Sequence, residues 1–123
     1  MNWIVMGALT AFVGVALGAF GSHSLQRRVG QDRLPSWETA VRYHMYHALA
    51  ITITGLVIGW RGTAAPSLLG LVPWLFAAGT VLFSGSLYLL VLTGKRWLGA
   101  VTPLGGLLLL GGWLGLAAAA WQS

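Results

Sequence analysis

Ser36-Trp37-Glu38-Thr39-Ala40-Val41-Arg42-Tyr43-His44-Met45-Tyr46-His47-Ala48-Leu49-Ala50, continued by a largely apolar run to Trp60, holds two of the chain's three histidines, two of its three tyrosines and one of its two acids. The other long stretches are almost free of ionisable groups. Polar recognition inside this protein therefore has to start from this segment.

The surroundings of the segment decide what it is embedded in. The chain is 57% hydrophobic and 7% charged, with a mean hydropathy of +0.79, whereas soluble domains carry roughly 25% charged residues. Apolar stretches at about 2–21, 38–60, 70–93 and 98–121 each reach the roughly 20 residues needed to cross a bilayer. Backbone in hydrocarbon must satisfy its own hydrogen bonds, and strand-like alternation is absent. The expectation is an all-α, integral membrane four-helix transmembrane bundle forming a single domain over 1–123. The first stretch is expected to be retained as a span, because no basic region precedes it and it exceeds the roughly 7–15 apolar residues of a signal peptide.

A net charge of +5 does not indicate nucleic acid here, because the basic residues are scattered at helix ends. Their distribution reads as topology. Arg27, Arg28 and Arg33 lie in the first loop, with Arg42 just beyond it, and Lys95 and Arg96 lie in the third; the second offers only Arg61. The loops between spans 1 and 2 and between spans 3 and 4 are expected on the cytoplasmic side of a cell inner membrane, with both termini opposite. The first loop also suits an interfacial turn against anionic lipid. The lack of cysteine excludes disulfides, thiolate catalysis and sulfur-ligated metal.

Pro35-Ser36 predicts a helix start, with Ser36 as cap and Glu38 complementing the helix dipole. Trp37 with Trp60, and Trp97 with Trp121, bracket two spans as interfacial aromatic belts would. On that ruler Trp37 to Trp60 covers about 35 Å and His47 falls near the midplane, level with Ser84 and Ser86 of the third span. Ala11, Gly14 and Gly18 in the first span, Gly55 and Gly59 in the second, and Gly111 and Gly115 in the fourth have the small-residue spacing of close helix contacts.

Within the central segment, Glu38 and Arg42 are four residues apart, acid first, in the favoured order for an ion pair. That pair would neutralise an arginine near hydrocarbon, or gate a cytoplasmic mouth. Thr39, Tyr43, Tyr46, His47 and Thr54 form a polar stripe expected to face Ser84, Ser86 and Tyr88 inside the bundle, while His44 is expected to point away from that stripe. The stripe serves either as interhelical hydrogen bonding or as a small cavity in which His47 binds a polar ligand or relays a proton. His47→Ala is accordingly expected to be more damaging than His44→Ala. His23 emerges from the first span at the cytoplasmic interface, and histidines on different helices raise a haem alternative. No catalytic carboxylate pair, activated nucleophile, metal cluster or phosphate-binding glycine loop is present.

Gly18-Ala19-Phe20-Gly21-Ser22-His23, Glu38 through Ala50, Phe83-Ser84-Gly85-Ser86-Leu87-Tyr88 and Thr102-Pro103-Leu104-Gly105-Gly106 together resemble the YgdD/YwdK-type family of small membrane proteins, a domain of unknown function. The resemblance covers essentially the whole chain. It implies a four-helix inner-membrane protein of bacteria and brings no established activity. The family's pattern has glutamine at the position of His44, which leaves His23, Glu38, Arg42, Tyr46 and His47 as the residues to which it points.

The expected function is non-enzymatic and without cofactor: an accessory, assembly or lipid-organising component whose partners are the lipid bilayer, a membrane protein or further copies of itself. A small homodimeric transporter or channel with a polar site around His47 is the alternative, and haem or quinone binding a further one.

Overall fold

Asn2 starts the first helix in the way its chemistry suggests, its side-chain oxygen accepting from the backbone N–H groups of Ile4 and Val5 at 3.1 and 3.2 Å. In the computed structural model, which describes residues 2–122, four α helices follow: α1 (Trp3–His23), α2 (Leu34–Arg61), α3 (Val72–Thr93) and α4 (Leu98–Trp121). Short 3₁₀ turns at Leu25–Arg27, Gly62–Ala64 and Ser67–Gly70 join them. The two ends of the domain expected over 1–123, Met1 and Ser123, lie outside the described residues.

The helix boundaries follow from local chemistry, with one correction. Ser36 does not cap α2: the helix begins at Leu34, Pro35 falls in its first turn, and no side chain bonds the free amides. Proline fixes a helical φ and lacks the N–H that a first turn leaves unpaired, so it starts the helix ahead of the serine. Gly62 and Gly94 end α2 and α3 at φ 55° and 72°. The Gly94 N–H closes the last turn of α3 on the Leu90 carbonyl at 2.8 Å.

The segments Trp3–Arg27, Ser67–Thr93 and Leu98–Trp121 are long and apolar enough to cross a membrane. The sequence led us to expect four such segments. The 28 residues of α2 rise about 42 Å, more than a hydrocarbon core of roughly 30 Å, but its first half carries the tyrosines, histidines and charges of the central segment. What makes that acceptable is position: α2 packs against both α1 and α3, and α4 packs on the far side of α3. The most polar helix is thus one of the two central ones.

Glycine seams set the spacing of the pairs. Gly7, Gly14 and Gly21 of α1 are buried and seven residues apart. A Cβ on each would strike Thr52, Met45 and Trp37 of α2 respectively, so the α2 partner number falls by seven or eight as the α1 number rises by seven. That is an antiparallel pair with a heptad-like contact. In α4 the buried Leu98, Gly105, Gly112 and Ala119 repeat the same interval. Gly105 lies against the Phe83 backbone and Gly112 against the Phe76 ring, while Gly79 of α3 receives Leu109. Of the small residues singled out in the sequence, Gly14, Gly18, Gly55 and Gly115 are at such contacts, whereas Gly59 has open space around it.

Two apolar clusters form the core. Trp3, Ala50, Ile51, Val72, Phe76 and Leu109 lie toward the end holding the second loop, and Leu25, Trp37, Ala40, Tyr88 and Val91 toward the other. Trp37 corrects the reading of it as a belt residue. It is 2% exposed, donates its indole N–H to the Leu17 carbonyl at 3.0 Å and packs on the rings of Phe20 and Tyr88, in space left by Gly21. Trp60, Trp97 and Trp121 are exposed as belt residues are.

Candidate functional site

Between the two clusters the buried polar side chains of α2 and α3 meet, and each is tied to a neighbour. His44 Nε2 lies 2.8 Å from the Thr10 carbonyl of α1. A carbonyl only accepts, so that nitrogen carries the hydrogen. Nδ1 of the neutral ring is left to accept from the Tyr88 hydroxyl of α3 at 2.9 Å. His44 therefore joins three helices. It lies off the row that holds His47, and that second row is also inside the bundle. α2 is flanked by neighbours across more of its circumference than a single stripe allows.

His47 is tied in the opposite sense. Its Nδ1–H donates to the Tyr43 carbonyl one turn back at 2.6 Å, and the indole N–H of Trp113 in α4 donates to its Nε2 at 3.0 Å. An indole nitrogen only donates, so Nε2 has no hydrogen and its lone pair is taken. With the ring nitrogens of both buried histidines engaged, neither ring offers an open ligand position for iron. Among the described residues no group of three or more His, Cys, Asp or Glu side chains converges.

Ser84 and Ser86 do not meet His47. Ser84 donates to the Ala40 carbonyl across the α2–α3 contact at 2.7 Å. Ser86 donates to Phe83 within its own helix at 3.0 Å, and its hydroxyl lies 2.6 Å from that of Thr102 in α4. Tyr88 belongs with His44 because side chains lean toward the N-terminus of their helix, which brings its hydroxyl to the level of Ser84. Among the described residues no fully buried side-chain nitrogen or oxygen lacks a partner.

The remaining candidates separate. Glu38 and Arg42 are exposed and, among the described residues, no ion pair joins them. They rim a cleft of about 340 Å³ with Gly18, Gly21, Ser22 and Gln26. His23 is exposed at the end of α1 and lines neither that cleft nor the larger one. Tyr43 and Tyr46 do not point into the bundle. They are 38% and 54% exposed and border a groove between α2 and α4.

That groove encloses about 830 Å³ and is lined by Tyr43, Tyr46, His47, Leu49, Phe83, Pro103, Gly106, Leu107, Leu109, Leu110 and Trp113. Tyr43 and Phe83 stack with centroids 4.8 Å apart and planes 19° apart. It exists because α4 packs on α3 and reaches α2 through the Trp113 indole, leaving the space between uncovered. Sequence reasoning named Tyr43, Tyr46 and His47 and missed the α4 wall. Trp113 was the available signal, a tryptophan midway along an apolar span, where a belt residue would not be.

The sequence pattern of the family described as "Protein of unknown function (DUF423)" matches residues 17–106. The chain belongs to this family. Among its relatives, this DUF423 chain is 42% identical over 127 residues to the UPF0382 membrane protein SAB0533 of Staphylococcus aureus (strain bovine RF122 / ET3-1), covering 98% of this chain and 95% of that one. It is 42% identical over 119 residues to the UPF0382 membrane protein YwdK of Bacillus subtilis (strain 168), with 96% and 94% covered. To the UPF0382 membrane protein SSP2132 of Staphylococcus saprophyticus subsp. saprophyticus it is 44% identical over 112 residues, with 91% and 90% covered. No solved structure matches the chain. The DUF423 assignment agrees with the resemblance carried by the quoted motifs, and the protein is a helical membrane protein.

Proposed function

We infer that this DUF423 protein is a non-catalytic component of the bacterial inner membrane, an accessory or lipid-organising protein whose working surface is the α2–α4 groove. The observation that carries this reading is the groove itself: about 830 Å³ of mostly apolar concavity, bordered by exposed tyrosines of a central helix. Concave apolar sites with a few placed polar groups are the usual form of small-molecule sites. The transporter or channel alternative has less support, because the polar group it needs, His47, has both ring nitrogens engaged.

A cytoplasmic position for the loops after α1 and α3 belongs to the same reading. It is supported by Arg27, Arg28, Arg33, Lys95 and Arg96 lying in those loops against Arg61 beside the other.

The test is extraction of the full chain into native nanodiscs and mass spectrometry of the retained lipids, with Gly106→Leu as comparison. A Cβ at Gly106 meets the Phe83 ring at 3.8 and 3.9 Å, ordinary contact, so the substitution fills the groove without opening the α3–α4 seam. The expected result is a lipid species enriched with the wild type and lost from the variant. Identical lipid profiles would remove the groove as working surface.

A further inference from the structure

The hydroxyls of Tyr43 and Tyr46, on the exposed border of the groove, contrast with the satisfied polar groups of the interior. Among the described residues neither makes a hydrogen bond, and both tyrosines lie in the first half of the long helix α2 of a membrane protein. Tyr46 is twelve residues into the 28 of α2, roughly 18 Å along an axis of about 42 Å. Where such a hydroxyl faces hydrocarbon, leaving it unbonded carries a desolvation cost that an acceptor would remove.

The groove supplies the rest of a recognition surface. Tyr43 stacks on Phe83, Trp113 stands on the opposite wall, and Pro103 and Gly106 keep the α4 side flat. His47 offers no acceptor, because Trp113 holds its Nε2. The site therefore presents aromatic faces and two phenolic donors on the outside of the helix bundle, where a hydrocarbon tail can remain in lipid.

Resting on the groove as working surface, the geometry points to an isoprenoid quinone as its occupant, a planar ring carrying two carbonyl acceptors on an apolar tail, with Tyr43 and Tyr46 donating to the ring oxygens. A phospholipid chain fits less well, because it brings no acceptor to the level of Tyr46; its ester oxygens sit at the interface. A volume of about 830 Å³ falls within the roughly 300–1,000 Å³ of small-molecule sites and suits a ring with the first part of its tail. Binding is the whole of the proposal, and it involves no electron transfer.

The experiment uses the full chain in quinone-free phosphatidylcholine nanodiscs, photolabelled with an azidobenzoquinone and competed with decylubiquinone. Labelled peptides are located by mass spectrometry, so the chain's seven tryptophans do not confuse the reading. The expected result is saturable labelling of α2 and α4 peptides, with the competition midpoint raised about tenfold in the Tyr43→Phe/Tyr46→Phe double variant, as loss of two modest hydrogen bonds predicts. Gly106→Leu should abolish it. Labelling that decylubiquinone does not compete would overturn the proposal. Unchanged competition in the double variant, with loss in Gly106→Leu, would overturn the quinone and leave the groove as an apolar lipid site. Unchanged labelling in Gly106→Leu would overturn both. Absent labelling, with Leu110→Cys copies cross-linking to one another, would mean that a second copy covers the groove, and the quinone proposal would fail.

Discussion

Trp113 and His47 form a side-chain hydrogen bond between α4 and α2, the indole N–H donating to Nε2 at 3.0 Å. It places α4 relative to α2 where their backbones do not pack closely, and in doing so it sets the width of the groove. The same bond orients the imidazole, whose other nitrogen returns to its own helix at Tyr43.

Trp113→Phe keeps an aromatic ring and removes that donor. Interhelical hydrogen bonds in membranes contribute about 0.6 kcal/mol on average and up to about 1.7. A loss in this range is expected in the thermal unfolding of the detergent-solubilised protein. His47→Gln, which restores an acceptor, should recover part of what His47→Ala loses. If Trp113→Phe unfolds like the wild type, the bond does not hold α4.

His44→Ala should destabilise more than His47→Ala, the reverse of the order read from the sequence. His44 loses bonds to two other helices, whereas His47 loses one, so the difference should be about 1 kcal/mol in favour of His47→Ala. Tyr88→Phe should account for roughly half of the His44 effect. Equal effects of the two histidine substitutions would count against the three-helix junction.

Glycine substitutions should divide by position. A Cβ on Gly105 would lie 2.7 Å from Phe83 Cα, backbone that cannot move aside, so Gly105→Ala should cost several kcal/mol or prevent folding. Gly85 is also within a helix but has nothing within 4 Å of the added carbon. Gly85→Ala should be neutral or gain up to about 1 kcal/mol through helix propensity. Melting temperatures of the two variants measure the contrast directly.

Arg33 donates to the Val91 carbonyl at 3.2 Å and lies beside Gly94, so the first loop supplies a cation and a donor to the C-terminus of α3. Those two loops must share a face. Single cysteines at Gln26 and Lys95 should react with an impermeant maleimide from the cytoplasmic side, and one at Thr63 from the other, in a chain that has no cysteine of its own. Labelling of all three from one side would exclude the arrangement.

Much of the site escaped sequence reasoning for a definable reason. A hydrophobic-against-polar stripe identifies one favoured face of a helix, and that logic put His47 on the inward stripe and His44 off it. α2 has neighbours on more than one side, so residues 37, 44 and 51 form one buried row and 40, 47 and 54 another. Both rows are inside, and the tyrosines beside them are not. Glu38 and Arg42 have ideal spacing yet remain apart, because an exposed pair gains too little to hold two long side chains together.

Composition alone settled that this chain is a helical membrane protein, because a chain so apolar can satisfy its backbone in lipid only within helices. Its loop charges indicated which loops belong together, and its four quoted motifs pointed to the family. Only the tertiary structure decided which polar groups find partners, since that depends on how far each helix is enclosed, and glycines at seven-residue intervals bring α1 onto α2 and α4 onto α3 while leaving α2 and α4 apart. The groove is the space left by that arrangement, and no property of a single helix specifies it.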